Sequence, residues 1–328
     1  MIPGKALAEW LENRREQALT NTAREECRRE LAGLEPIARL NREIDAAPED
    51  DAEALLACGR RFLEEPDSVG SCLDLLNSFA RRDFFFRPPL PSLSGEVHTG
   101  LLLLDRPKLT MLLAVASPDA LATKRKIRRG RASIAFPGAL SVYKFVKAGG
   151  ATLSFWETSG PAWEGRDRCR FVERRPIGDG EILELDGRYQ GFVVDHAEGD
   201  MVYIHSSTPA GAAPLVAEYD SGSLEFIGGS SADEANSRTL MMLSLLRLMN
   251  RTDSASLFRE ALGSSHFYAR WHAMREYLAL DMGLALPHLR KMAEADPHPE
   301  VRVAAARTLE TFFGGEALNR EGELECLA

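Results

Sequence analysis

The chain has 328 residues, of which 45% are hydrophobic and 27% are charged, a balance typical of a globular protein that buries a substantial core. Forty Lys and Arg residues stand against 49 Asp and Glu residues, and the net charge of -9 argues against general nucleic-acid binding. No apolar run approaches the roughly 20 residues that a membrane-spanning helix needs, so no membrane association is expected.

Two features indicate the compartment. The opening sequence MIPGKALAEWLENRRE carries charges from Lys5 onward and has no apolar signal core. The five cysteines are scattered and form no C-x-x-C pair, so the pattern predicts neither a zinc knuckle nor a disulfide framework. We expect free structural thiols in a cytoplasmic protein, with a reactive or bridging role for one of them as the alternative.

Residues 1–90 are predicted to form a helical section. Apolar residues from Leu7 to Leu40 recur at helical spacing between runs of Glu and Arg. Pro48 and Pro66 interrupt this pattern, and acidic residues follow each of them, as is typical of helix starts. The sequence FFFRPPLP at 84–91 ends the section, because proline cannot continue a helix. Its three phenylalanines are predicted to pack the helices onto the next domain.

Residues 91–230 are predicted to form an antiparallel β barrel or sandwich. Short β-like runs extend from Val97 to Phe226, and turn signals such as Gly149-Gly150 and Asp186-Gly187 separate many of them. Regular spacing of this kind is typical of small all-β domains.

Residues 231–328 are predicted to be a second helical section with an internal repeat. Arg270 and Ala273 stand 32 positions before Arg302 and Ala305. The second copy, DPHPEVRVAAARTLETF, closely resembles a HEAT repeat. This resemblance implies paired helices that present a surface to a protein partner.

The middle of the chain resembles a cupin. The sequence GDGEILELDGRYQGFVVDHAEGDMVYIHSSTPAGAAP, residues 178–214, contains two strand pairs whose turns are Asp186-Gly187 and Gly199-Asp200. The resemblance implies an α+β multidomain protein: an N-terminal helical section, a central antiparallel cupin-like barrel or sandwich, and C-terminal HEAT-like repeats.

The resemblance also shows which metal ligands are replaced. Metal-binding cupins carry an H-x-H pair and a Glu on one strand pair, and a further His after the Gly-Asp turn. This chain has 152–159, TLSFWETS, and 210–213, AGAA, at those places. We therefore expect no cofactor. The alternative is an atypical Fe(II) site of His196, Glu198 and His205, which competes with a plain polar turn and one partly buried histidine.

Aromatic and polar residues of the middle domain are predicted to line a ligand pocket in the barrel. Small barrels often bind ligands through apolar walls that carry a few polar groups, although the same aromatics would also fill a barrel. The predicted ligand-binding residues are Tyr143, Phe155, Trp156, Glu157, Trp163, Arg170, Tyr189 and Gln190.

One basic cluster, Lys124–Arg131, stands out in this acidic chain. An anion-binding patch is one interpretation. A solvated loop, or a loop that pairs with the acidic N-terminal helices, is the favoured one.

These features predict a non-catalytic or regulatory binding protein, an adaptor that holds a small molecule or peptide in the barrel and a protein partner on its helices. A homodimer through the barrels is compatible with this hypothesis. The alternatives are a non-haem iron oxygenase of the cupin type and a metal-free isomerase or epimerase with His or Tyr as acid and base.

Overall fold

A computed structural model describes residues 4–95, 97–127, 133–165 and 167–313. The chain divides into two compact units, Met1–Ala232 and Asp233–Ala328. The predicted boundary between residues 90 and 91 lies inside the first unit.

The first unit begins with helices. Asn13 and Asp51 cap α2 and α4 by accepting hydrogen bonds from backbone N–H groups three residues ahead, at 3.1 and 2.9 Å. Proline occupies the first turn of α3 and of α5, where its missing N–H costs nothing. The helices are α1 (Gly4–Glu12), α2 (Arg14–Gly33), α3 (Glu35–Ala46), α4 (Ala52–Glu64) and α5 (Pro66–Arg82).

The strands of the first unit form three antiparallel sheets. One sheet has the order β1-β2-β3-β10-β5-β8, and two smaller ones have the orders β12-β11-β4 and β7-β6-β9. The strands are β1 (Ser92–Ser94), β2 (His98–Asp105), β3 (Thr110–Ala116), β4 (Ser133–Phe136), β5 (Leu140–Lys147), β6 (Thr152–Glu157), β7 (Arg170–Pro176), β8 (Ile182–Asp186), β9 (Gln190–His196), β10 (Met201–Thr208), β11 (Leu215–Asp220) and β12 (Phe226–Ser231).

A helix interrupts the strands where a loop was predicted. Helix α6 (Pro118–Ile127) includes the first part of the basic cluster, so the loop prediction is wrong there. The sequence Ser-Pro-Asp explains the helix: Ser117 Oγ accepts from the N–H of Ala120 at 3.1 Å, and proline follows at the first helical position. Residues 128–131 of the cluster lie outside the described residues.

The N-terminal helices cover one face of the six-stranded sheet. Leu55 and Phe62 of α4 share a buried cluster with Met111, Val142 and Ile204 of β3, β5 and β10. The approach is close, because a Cβ at Gly59 would fall 2.4 Å from Ser206 Oγ. The helices and the sheet therefore form one core.

The three phenylalanines before the β domain behave differently from one another. Phe86 is buried and its ring centroid lies 5.6 Å from that of Phe79. Phe85 stacks on Trp10 at 5.1 Å. Phe84 is 65% exposed, so the prediction that the three phenylalanines pack the helices onto the next domain is wrong for this residue.

The opposite face of the six-stranded sheet packs against the sheet of β6 and β9. Phe145 and Leu185 from the large sheet share a cluster with Leu153, Phe192 and Val194 from the small one. Residues that alternate with these along each strand point away from the cluster, as the pleat requires. We refer to the space between these two sheets as the interior.

The second unit is helical. Its helices are α7 (Glu234–Leu248), α8 (Ala255–Ala261), α9 (Phe267–Leu280), α10 (Met282–Ala295) and α11 (Pro299–Phe313). The 32-residue repeat has a structural counterpart: Arg270 Nη1 donates to the carbonyls of Ser264 and Ser265, and Arg302 Nη1 to those of Asp296 and Pro297. Both guanidinium groups thus reach back to the residues six and five positions earlier. The assignment to HEAT repeats stays a prediction.

Cys27, Cys58, Cys72 and Cys169 are buried free thiols, while Cys326 lies outside the described residues. Across the described ranges, the helices are all too short or too polar to cross a lipid bilayer.

Candidate functional site

A polar group occupies the interior between the sheets. His205 of β10 is paired across the sheet with Tyr143 of β5, so both side chains lie on the same face. The two rings stack with centroids 4.4 Å apart and planes at 12°. Ser141, two residues before Tyr143, lies on the same face, and its Oγ is 3.1 Å from His205 Nε2.

Burial disfavours the charged forms of the titratable side chains between the sheets. It lowers the pKa of His205 to about 4, and the charge of His98 acts in the same direction. Burial raises the pKa of Tyr203 to about 12. It also raises the pKa of Tyr143 far above the ordinary value, helped by Tyr203 and opposed by a hydrogen bond with Ser141. At neutral pH the group offers hydrogen bonds but no charge.

A cleft of about 160 Å³ opens beside β6, β8 and β9. Phe155, Leu183 and Leu185 supply apolar walls, and Gln190 and Gly191 stand at the start of β9. The cleft is lined by Phe155, Trp156, Glu157, Val172, Glu173, Arg175, Leu183, Glu184, Leu185, Gln190 and Gly191. It thus contains four of the predicted ligand-binding residues: Phe155, Trp156, Glu157 and Gln190.

Trp156 also lines the cleft, but its side chain packs with the cluster of Ile134, Phe136 and Tyr219, on the opposite face of β6 from Phe155. Its indole Nε1 is buried and has no hydrogen-bond partner within the described ranges. A buried N–H without an acceptor costs about 1–3 kcal/mol.

The charged groups around the cleft form ion pairs. Glu157 pairs with Arg170, and Glu184 with Arg60 at 2.8 Å. Arg175 pairs with Glu181 at 2.5 Å and with Glu173 at 3.3 Å. Its guanidinium also lies 5.0 Å from the centroid of the Phe155 ring. These pairs join four carboxylates to three guanidinium groups, so each carboxylate has a partner and Arg175 serves two of them.

The other predicted ligand-binding residues lie elsewhere. Tyr143 belongs to the polar group between the sheets and is 8% exposed. Its burial agrees with the alternative that the aromatic residues fill the barrel. Trp163 packs with Phe136 and Tyr219 in a separate cluster. Arg170 reaches the cleft only through Glu157, and Tyr189 is exposed in the β8–β9 turn beneath the Arg188 guanidinium.

The residues of the alternative Fe(II) site are not assembled. Among the described residues, no three His, Cys, Asp or Glu side chains form a group that could hold a metal ion. His196 is exposed at the end of β9. Glu198 is exposed in the following turn, and its backbone N–H donates to the carbonyl oxygen of Gly149 at 2.8 Å. His205 is buried in the interior. The residues present do not fit the metal that the cupin resemblance implies.

A second cleft, of about 430 Å³, lies between α3 and α4 and was not predicted. Cys58 and Phe62 line it with Arg39, Glu43 and Glu65. Arg39 pairs with Glu65, and Arg61 Nη2 lies 2.8 Å from the Glu43 carboxylate, so both arginines of the lining are paired, while Glu64 adds a third carboxylate.

No protein-family model matches this sequence, and no curated protein matches it. Among solved structures, a cupin-like protein from Thermotoga maritima is 15% identical, with 47% of this chain and 92% of that chain covered and a TM-score of 0.25. A Klebsiella pneumoniae protein with a double-stranded β-helix domain is 10% identical over 37% of this chain and 84% of that chain, with a TM-score of 0.24. A structure of DMSP lyases is 12% identical over 59% of this chain and 94% of that chain, with a TM-score of 0.29. The strand order and register given above define the β domain independently of these similarities.

Proposed function

We propose that this is a binding protein whose β domain takes a small uncharged molecule, or an uncharged side chain of a peptide, into the cleft beside β6, β8 and β9. The observation that carries the proposal is a cleft whose apolar walls come from Phe155, Leu183 and Leu185 and whose lining includes the uncharged polar side chain of Gln190. Ligand sites typically combine such walls with a few fixed polar groups.

The size and charge of the cleft define the ligand class. A volume of about 160 Å³ corresponds to roughly five water molecules at ~30 Å³ each, or a ligand portion of roughly five to eight non-hydrogen atoms. Because each of the surrounding carboxylates lies in an ion pair with an arginine, a charged ligand would compete with those pairs. An apolar body with one uncharged polar group is the best match.

The protonation states favour binding over acid–base catalysis. A general acid or base works best when its pKa lies near the working pH. Burial moves the pKa of His205 down to about 4 and that of Tyr203 up to about 12. Both shifts lead away from neutrality, so these two side chains are poorly matched to acid–base catalysis at neutral pH. The oxygenase alternative has no assembled set of ligands in the described residues to support it.

The indole signals of the protein provide the test. The chain has four tryptophans, so labelling with ¹⁵N-tryptophan gives four indole N–H resonances, and Trp156→Phe identifies the signal of Trp156, which lines the cleft. We expect 2-pyrrolidinone, N-methylacetamide, cyclopentanol or phenol to shift this signal saturably, with Kd values of roughly 0.1–10 mM for compounds this small.

Two variants make the test specific. Val172→Phe places a larger side chain at the lining of the cleft and should abolish the shift, while Ile227→Phe, at a similarly exposed apolar position outside the lining, should leave it unchanged. Failure of all four compounds to shift the signal, or an equal shift in Val172→Phe, would refute the proposal.

A further inference from the structure

Helix α7 is apolar on two sides. Its inner side packs into the second unit through Leu243, which is 3% exposed, and through Ser244 Oγ, 3.2 Å from His272 Nε2. Arg247 Nε, on the same side, donates to Glu276 at 2.5 Å. A helix with one packed face normally carries polar residues on the other. Here the other side carries an outer stripe of Met241, Met242, Leu245, Leu248 and Met249, which are 46–69% exposed.

The outer stripe is symmetric about Leu245. Its members are separated by one, three, three and one positions. Methionines stand at both ends, and Met242 and Leu248 occupy equivalent places on either side of Leu245. If two such helices lie antiparallel with their Leu245 residues in contact, Met241 of each faces Met249 of the other. A two-fold interface requires this kind of self-complementarity.

The stripe also has a suitable size. It spans eight residue steps, about 12 Å at 1.5 Å per residue. Its exposed apolar surface is on the order of 500 Å², near the upper end for a patch on a monomeric protein. Each partner in a standard interface contributes roughly 800 Å², so this stripe supplies the larger part of what a modest dimer needs.

We infer that the outer stripe of α7 binds the outer stripe of a second copy of this chain, antiparallel, with the two Leu245 side chains on the two-fold axis. An unrelated amphipathic helix is the other candidate occupant, and a chain that stays monomeric in the test below would favour it. Packing of two methionine-rich and leucine-rich faces needs no charged group, and none of the five stripe residues is charged; Arg247, the charged residue within 241–249, faces the inner side. This inference concerns the second unit and does not depend on the cleft.

Sedimentation equilibrium of the full chain from about 1 to 200 µM tests the inference. We expect a reversible monomer–dimer equilibrium with Kd of roughly 1–100 µM, in line with a small interface. Leu245→Glu brings two carboxylates together on the axis and should weaken the dimer at least about 30-fold. Leu257→Glu, at a 48% exposed leucine outside the stripe, should leave the equilibrium unchanged.

Charge reversal distinguishes this geometry from other arrangements. Leu245→Lys alone should also be monomeric, whereas an equimolar mixture of Leu245→Glu and Leu245→Lys should form a heterodimer, because residue 245 faces itself. Circular dichroism confirms that the variants are folded, since Leu245 is 46% exposed and its replacement opens no cavity. A wild-type chain that is monomeric at 200 µM, a dimeric Leu245→Glu variant, or a mixture that stays monomeric would each overturn the inference.

Discussion

The side chains of Arg270 and Asp296 form the best buried ion pair in the described part of the second unit. Arg270 Nε and Nη2 donate to the two carboxylate oxygens at 2.8 and 2.6 Å, and the side chains are only 10% and 4% exposed. The backbone N–H of His298 also donates to Asp296 at 2.8 Å. This bidentate pair ties one copy of the 32-residue repeat to the next.

Replacing Arg270 by Met should destabilise the second unit strongly. The change leaves Asp296 buried without its main partner, and breaking a buried pair in this way costs about 3–5 kcal/mol. Hydrogen exchange of the α9–α11 peptides in the full chain measures the loss as faster exchange. Arg302→Met, which removes a guanidinium that donates to carbonyl oxygens, should cost about 1 kcal/mol.

The loss should depend on pH in a defined direction. Burial alone would raise the pKa of Asp296, but the hydrogen bonds from Arg270 and His298 and their charges outweigh it and hold the pKa below its usual value of 3.8. The pair therefore stabilises the fold above the unfolded pKa and is lost as the pH falls through the folded pKa. The difference between wild type and Arg270→Met should shrink below about pH 4. A difference that stays constant down to pH 3 would contradict the ion-pair explanation.

At the scale of single residues, the sequence indicated Tyr143 and His205 as functional candidates, but it assigned them to different sites. Their contact depends on the register that pairs β5 with β10, and register is set by long-range packing. Ser141 and Tyr203 were missed, although each lies two residues from a candidate and so shares its face of a strand. For Trp156, the position in a β-like run was visible, whereas an unpartnered N–H is a property of the folded surroundings.

At the scale of elements, the approach of β9 to β4 depends on Gly191. A Cβ there would lie 2.5 Å from the carbonyl oxygen of Ala135, which belongs to the backbone and cannot rotate away. Gly191 also lines the cleft, so the same glycine serves packing and the candidate site.

Gly191→Ala should lower the free energy of unfolding of the first unit by about 1–3 kcal/mol, the range for forced overpacking. Gly199→Ala is the matched control, because its Cβ would meet no atom within 4 Å. Differential scanning calorimetry compares the two. A Tm for Gly191→Ala equal to that of Gly199→Ala would show that β9 and β4 are not in close contact.

Most strands of the β domain could be placed from their turn residues, because Gly and Asp mark the ends of the runs. The exceptions have physical reasons. Strand β1 (Ser92–Ser94) is too short to show alternation, and β12 begins at Phe226, after a turn in which Leu224 has a positive φ of 63°. Helix α6 carried a Ser-Pro-Asp start signal that the neighbouring basic cluster obscured. Which sheets face each other was not encoded in any local pattern.

For the whole molecule, the features on which our two proposals rest lie in different units. The first unit combines helices and sheets in one core and carries the cleft, while the second carries the α7 stripe. We propose that the β domain binds its ligand without a metal ion. The residues at the usual cupin positions provide no ligand set, and His196, Glu198 and His205 do not form one.

Metal analysis of the full chain, purified without an affinity tag and tested again after incubation with Fe(II), Mn(II) or Zn(II), examines this claim most directly. We expect less than about 0.1 ion per chain after dialysis and no saturable rise in Tm on metal addition, since a metal that bound only the folded state would stabilise it. About one ion per chain, lost in His196→Ala, would refute metal-free binding and support the iron-dependent alternative.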